Sequence, residues 1–188
     1  MSDACLESEL GRYALVYADP PWPMYGDGQK NAAAAKHYDL MTLEAICDLP
    51  VRALFRDQGA LFLWATCPRL DLAISAIAAW GLHFRGVAFV WVKCRKDGAI
   101  IGAQGVPPTA TKPTTELCLL ATTCKRGRPF KLQSAKVSQV VVAPRGRHSE
   151  KPKEVRDRIV EIYGDLPRIE LFARSRPEGW SVFGNQVG

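Results

Sequence analysis

Tyr17-Ala18-Asp19-Pro20-Pro21-Trp22 comes directly after the hydrophobic run Tyr13-Ala14-Leu15-Val16. That run has the continuity of a strand buried on both faces. Such a strand delivers the next residues to the carboxyl edge of an open α/β sheet, where these sheets place their ligands. Asp19 is then a carboxylate at the mouth of the sheet. The two prolines fix φ and remove two backbone donors, so the Pro20 carbonyl is expected in a stiff turn with the flat face of Trp22 beside it. A carboxylate, a fixed carbonyl and an aromatic plate suit a flat base with an exocyclic amino group. The two oxygens accept the amino hydrogens while the indole stacks on the ring. Taken alone, Asp-Pro-Pro is also a common turn signal and Trp22 a core residue.

The chemistry that fits this arrangement is alkylation of the amino group. An adenine amino nitrogen is a poor nucleophile because its lone pair is delocalised into the ring. Two acceptors on its hydrogens draw the nitrogen toward a tetrahedral shape and localise that pair. A methyl sulfonium is already a strong electrophile, so neither a metal nor a covalent enzyme intermediate is required, and the protein contributes positioning and electrostatics.

Outward from this motif the chain alternates strands and helices. Residues 1–12 are a lead-in. Pro23 to Tyr38 is a glycine-containing loop able to close over a substrate, with Tyr25, His37 and Tyr38 as candidate pocket residues. Thr42 caps a short helix through Leu43, Ile46 and Leu49 that Pro50 ends. Ala60–Ala65 is a second buried strand. A helix over 69–80 carries Leu70, Ile74 and Ile77 on one face and stops at Gly81. Val87–Lys93 is a third strand and Glu116–Thr122 a fourth, separated by a long loop over 95–114. Val140–Val142 is a further strand. Pro152 opens a helix with Val155, Ile159, Ile162 and Tyr163 on one face and Gly164 as its stop. Ile169–Ala173 is a last strand. This rhythm predicts parallel βαβ units, a mostly parallel sheet flanked by helices, in one domain over 1–188.

With 188 residues, 47% of them hydrophobic, the chain is long enough for a substantial core and is not disordered. A formal net charge of +6 permits a polyanionic partner without demanding one. The basic run Lys125–Lys131 reads as a solvated turn or as a phosphate-backbone contact. Six cysteines show no zinc-ligand spacing, so no metal is expected, and a reduced, cytoplasmic protein is the simplest reading. No stretch has the length of a membrane span.

The ordered combination of motifs resembles the adenine-amino methyltransferases of the MT-A70 type. The blocks are Asp19-Pro20-Pro21-Trp22; Leu61-Phe62-Leu63-Trp64; Val90-Trp91-Val92-Lys93 with Thr115-Glu116; and Arg147-His148-Ser149-x-Lys151-Pro152 followed by Glu170-Leu171-Phe172-Ala173-Arg174, Trp180 and Gly184-Asn185-Gln186. They span nearly the whole chain. The resemblance implies a Rossmann-like class I methyltransferase fold in permuted order, the catalytic motif preceding the main cofactor-binding segment. It implies S-adenosylmethionine as cofactor, with S-adenosylhomocysteine as product. Asp19, Pro20, Pro21 and Trp22 take the catalytic position, Asp19 and Pro20 gripping the amino group and Trp22 stacking on the adenine. Glu116 and Lys151 lie toward the substrate, as do Tyr25, His37 and Tyr38. Lys151 also reaches the cofactor's charged end beside Asp19, and Arg174, Asn185 and Gln186 bond its ribose.

Two departures from the family pattern stand out. Eighteen residues precede Asp19 where members carry a longer segment that contacts the cofactor's adenine, so that contact is expected to be missing or to come from elsewhere. Arg176-Pro177-Glu178 replaces a turn containing histidine or asparagine, and Arg176 takes its place as a cofactor contact. The resulting expectation is an adenine-N6 methyltransferase acting on DNA, with RNA as the alternative substrate, in the cytoplasm of a bacterial or phage-infected cell. It works as a monomer or homodimer, or with a partner subunit. A non-catalytic, nucleic-acid-binding partner subunit is the competing reading. Trp64 and Trp91 read as packing, and a lysine at the start of a helix, as Lys151 is, reads equally as a surface residue.

Overall fold

β1 (Tyr13–Ala18) is buried at every position and forms the spine of the molecule. The computed structural model describes residues 6–23, 40–102, 110–146 and 150–184. Among these, α1 (Leu43–Cys47) and α2 (Val51–Leu54) come after β1, then β2 (Phe55–Thr66), α3 (Leu70–Ala79), β3 (His83–Cys94), β4 (Thr115–Thr122), β5 (Val140–Pro144), α4 (Lys153–Tyr163), β6 (Arg168–Leu171) and β7 (Ser181–Phe183). The strands join in one seven-stranded sheet, ordered β5-β3-β4-β2-β1-β6-β7. All pairings are parallel except the two that β4 makes, antiparallel to β2 and to β3.

The fold class is therefore α/β with a mostly parallel sheet, as the sequence predicts. One connection differs. The unit β2-α3-β3 does not join neighbouring strands, because β4 fits between them in the opposite direction. β1 connects to β2 on one side and β6 connects to β7 on the other. The crevice between β1 and β6 at their carboxyl ends is thus the point where strand order reverses, the place where open α/β sheets bind ligands.

Two apolar layers cover the sheet. On one face α3 packs with Val16, Leu61 and Leu63; on the other α4 packs with Tyr17, Phe62 and Trp64. The face of α3 departs from the expected one: Leu72, Ala73, Ala76 and Ile77 are buried, while Ile74 is 41% exposed. The buried face is centred on Ala73 and Ala76, which leaves Ile74 at its edge. α1 starts as expected, the Thr42 side chain accepting from Ala45 N–H at 3.1 Å. Part of the expected 95–114 loop is an ordered turn, in which Arg95 N–H bonds Ala99 O and Ile101 N–H bonds Lys93 O. No helix among the described residues is long and apolar enough to cross a membrane.

β6 ends in a tight turn in which Phe172 takes φ 60, a left-handed conformation uncommon for an aromatic residue. Ala173 N–H then bonds Phe183 O, drawing the end of β7 against this turn. A Cβ on Gly184 would lie 2.4 Å from Ala173 O and 2.6 Å from Ala173 N. Gly184→Ala is expected to cost roughly 1–3 kcal/mol through overpacking against rigid backbone. Thermal unfolding checks this, and an unchanged midpoint contradicts it.

Candidate active site

Several strand ends and one loop converge at the sheet edge beside this crevice, above β1, β2, β4 and β3. Asp19 leaves the carboxyl end of β1. Glu116 stands near the amino end of the antiparallel β4, opposite Thr66 of β2 and Trp91 of β3. Lys93 is near the carboxyl end of β3, and Lys151 lies just before α4. Because β4 runs backwards, its amino end meets the carboxyl ends of its neighbours, and this brings Glu116 to the site.

These four side chains form one chain of charges. Lys151 Nζ donates to Asp19 Oδ2 at 2.7 Å and lies 3.3 Å from Glu116 Oε2. Lys93 Nζ donates to Glu116 Oε1 at 2.5 Å. The side chains of Lys151 and Asp19 are 7% and 17% exposed, so the pair is largely withdrawn from water. Two carboxylates and two ammonium groups balance, which is the condition for keeping buried charges ionised.

Burial raises the pKa of Asp19, and Lys151 only partly offsets it, leaving the carboxyl above its usual range. Burial also pushes Glu116 up, but Lys151 and Lys93 together outweigh it and the net shift is downward. Burial pulls Lys151 down, yet Asp19 and Glu116 overcome this and hold the ammonium above the ordinary lysine value. Lys151 is thereby held in its ammonium form and Glu116 in its ionised form, while Asp19 is the carboxyl of this network whose affinity for a proton is raised.

Rings floor the site. Trp91, Trp64 and Tyr17 form a row of edge-to-face contacts across the sheet, with centroids 6.3 and 6.4 Å apart. Lys93 Nζ lies 5.1 Å from the Trp91 ring centre and Lys151 Nζ 5.6 Å from that of Trp64. Trp64 Nε1–H donates to the Tyr17 hydroxyl at 2.6 Å. Trp64 and Trp91 are core residues, as the sequence suggests, and they also support the two site lysines through their ring faces. Beneath them, Arg156 NH1 reaches both Glu170 oxygens at 3.1 Å.

Two backbone hydrogen bonds hold the turn after β1. Trp22 N–H bonds Pro20 O at 2.9 Å, and Met41 N–H bonds Pro21 O at 3.1 Å. The Pro20 carbonyl thus already accepts one hydrogen bond, leaving its second lone pair for a ligand. Trp22 Nε1–H donates to Trp64 O at 2.9 Å, which fixes the half-buried indole against the end of β2.

The structure brings Asp19, Glu116 and Lys151 into direct contact, while Trp22 is tied to the nearby end of β2 and packs against the core on the α3 side. Lys151 is buried, so the surface reading of this residue is set aside. Arg174 is half-buried and close enough for its charge to lower the Asp19 pKa, whereas Arg176 is exposed. Tyr25, His37, Tyr38, Asn185 and Gln186 lie outside the described residues, as do Arg147, His148 and Ser149. Lys93 and Arg156 had no assigned role in the sequence. The one signal for Lys93 was a cation closing an apolar strand. Arg156 carried none, being one charge among many on an amphipathic helix. No group of three histidine, cysteine or acidic side chains placed to hold a metal ion occurs among the described residues.

This arrangement can accept hydrogen bonds from an amino group at Asp19 and Pro20. It can also hold a zwitterionic ligand, since Asp19 suits an ammonium and Lys151 a carboxylate.

The family model described as MT-A70 matches residues 13–186. The chain is similar to the type II methyltransferase M.MunI of a Mycoplasma species, with 30% identity over 194 residues covering 94% of this chain and 78% of that protein. It is 30% identical over 180 residues to an N(6)-adenosine-methyltransferase MT-A70-like protein of Drosophila melanogaster, covering 95% of this chain and 27% of that protein. It is 29% identical over 182 residues to the human N(6)-adenosine-methyltransferase catalytic subunit METTL3, covering 96% of this chain and 29% of that protein. The chain thus spans most of the Mycoplasma relative and less than a third of the two animal ones.

Proposed function

The chain belongs to the MT-A70 family, and on that premise we propose that it transfers a methyl group from S-adenosylmethionine to the N6 amino nitrogen of adenine in nucleic acid. The observation that carries this reading is the Asp19 carboxylate at the strand-order reversal, joined to the buried Lys151 ammonium at 2.7 Å. DNA stands first as substrate because the chain covers most of a type II methyltransferase but only a minor part of the adenosine methyltransferases. RNA is the alternative.

The donor set fits the cofactor. Its methionyl tail is a zwitterion, and Lys151 and Arg174 suit the carboxylate while Asp19 suits the ammonium and the positive sulfur. When bound, S-adenosylmethionine supplies an activated methyl group. The chain's own residues act on the nucleophile. Asp19 and the free lone pair of the Pro20 carbonyl accept the two amino hydrogens and draw the nitrogen lone pair out of conjugation. Lys151 holds Asp19 in place, Glu116 holds Lys151, and Lys93 holds Glu116. Trp22, fixed by its bond to Trp64 O, offers its ring to the base. Asp19 need not be a full base, because the methylated ammonium is acidic enough to lose its proton to water.

Trp22→Ala is expected to weaken binding of the target base by roughly 1–3 kcal/mol, the usual range for removing a stacking ring. A raised KM for the oligonucleotide with unchanged cofactor binding is the predicted signature, and an unchanged KM contradicts it.

The substrate class is tested with labelled S-adenosylmethionine and single- and double-stranded DNA and RNA offered in parallel. Label entering DNA preferentially supports the first reading, and label entering RNA alone supports the alternative. Absence of label in every polymer, with the cofactor bound, counts against both.

A further inference from the structure

We propose that the rim of the sheet opposite Asp19 carries a second ligand site, one that binds a phosphate group. β1, β2, β6 and β7 run parallel, so Tyr13, Arg56, Arg168 and Ser181 at their amino ends lie side by side. Together with Arg12, Trp180 and neighbouring backbone they line an open hollow of about 470 Å³. This lies within the ~300–1,000 Å³ range of small-ligand sites. The six residues of β1 separate it from Asp19 by about 20 Å at ~3.3 Å per residue. The site is therefore independent of the methyl-transfer reading.

The lining is basic. Arg12, Arg56 and Arg168 contribute, and no acidic residue does. Two carboxylates approach from outside the lining: Glu9 bonds Arg12 and the Tyr13 hydroxyl, and Asp165 bonds Arg168. Arg56 is exposed and has no hydrogen-bond or ion-pair partner among the described residues.

Arg168 is the built part of the site. The residue is 8% exposed, its NH1 is held by Asp165 Oδ1 at 2.7 Å and Leu166 O at 3.0 Å, and its Nε is buried with no acceptor. Its guanidinium stacks 5.6 Å from the centre of the Trp180 ring. Gly179, at φ 72, leaves the room for this: a Cβ there would lie 2.5 Å from Arg168 NH2. The buried Nε is closed off from the hollow, so what Arg168 offers a ligand there is the charge of a guanidinium fixed in place by Asp165, Leu166 and Trp180. Three guanidinium groups with the Ser181 hydroxyl match the several oxygens and the charge of a phosphate better than a single carboxylate. The phosphate has two possible sources, a free nucleotide or the backbone of a nucleic-acid strand.

The test measures binding of four probes to the full chain: inorganic phosphate, adenosine, adenosine 5′-monophosphate and a labelled single-stranded oligonucleotide. Each is compared with Arg56→Glu, and with Lys136→Glu as an equal charge change at an exposed position elsewhere. Arg56 is exposed, so its variant should unfold at the wild-type temperature. Arg56→Glu is expected to weaken binding of a phosphate probe roughly tenfold or more, the worth of a charge-assisted hydrogen bond. Lys136→Glu should change it far less, and S-adenosylmethionine binding should stay unchanged in both. An effect on the monophosphate assigns the site to a free nucleotide, and an effect confined to the oligonucleotide assigns it to the strand backbone. The proposal is overturned if no probe binds, if Arg56→Glu and Lys136→Glu behave alike, or if adenosine binds as well as its monophosphate.

Discussion

Lys151→Met is expected to lower folding stability by about 3 kcal/mol and to abolish methyl transfer. Removing one member of a buried ion pair typically costs roughly 3–5 kcal/mol, because the remaining charge is left uncompensated in a poorly hydrated site. Here two carboxylates depend on one ammonium, but Glu116 keeps Lys93, which places the cost at the lower end. For a chain of this size that corresponds to a fall in midpoint of roughly 6–12 °C.

The pH dependence carries a further signature. Without Lys151 the raised pKa of Asp19 moves higher still, and the lowered pKa of Glu116 moves back up. A carboxyl with a raised pKa loses stability as pH rises from its unfolded to its folded value. One with a lowered pKa contributes stability that is fully present above its unfolded value. Both changes disfavour the variant as pH rises, so its deficit against wild type should widen from mildly acidic to neutral solution. A deficit that is constant over that range, or a wild-type midpoint, contradicts the buried charge network.

Asp19→Asn is expected to reduce methyl transfer by roughly 10²–10³-fold, the usual loss on removing one preorganised group that acts on developing charge. The amide keeps the size of the side chain but turns one acceptor into a donor facing the amino hydrogens. S-adenosylmethionine affinity should change much less than the rate, since Lys151 and Arg174 remain. Wild-type activity should fall with acid as Asp19 takes up a proton. Because burial raises its pKa, that fall should occur above the ordinary carboxylate range. The residual activity of the variant should lack this acid limb. Wild-type kcat in the Asp19→Asn variant removes Asp19 from the mechanism.

Six of the seven strands were legible as apolar runs, and β1 is buried throughout, as a two-sided strand must be, but Ile169–Ala173 was not the last strand: the three-residue β7 is too short and too exposed to stand out from its neighbours. Strand order was not legible. Periodicity shows what an element is but not which neighbour it takes, so the entry of β4 between β2 and β3 left no local mark. That insertion brings Glu116 and Lys93 together at the end of the sheet. On α3, Ile77 is buried and Leu70 packs against the core as expected, but Ile74 is exposed, because the buried face is centred on Ala73 and Ala76, whose small side chains carry a weak periodic signal. In the site, Asp19 and Trp22 came from one six-residue stretch. Lys151 became a buried ion-pair member only when segments far apart in sequence met. The arginines of the opposite rim gave no sequence signal, since Arg12, Arg56 and Arg168 converge only through parallel strand pairing.

The measurement that tests the central claim most directly is the identity of the nucleoside formed. A polymer labelled by the wild-type protein is digested to nucleosides, and the labelled species is identified by mass. The prediction is N6-methyladenosine or its deoxy form as the sole labelled product, as the proposed roles of Asp19 and Pro20 as acceptors for the exocyclic amino group and of Trp22 as the stacking ring require. Label on a ring nitrogen, or on the amino group of cytosine, would contradict the assignment of this site to adenine N6.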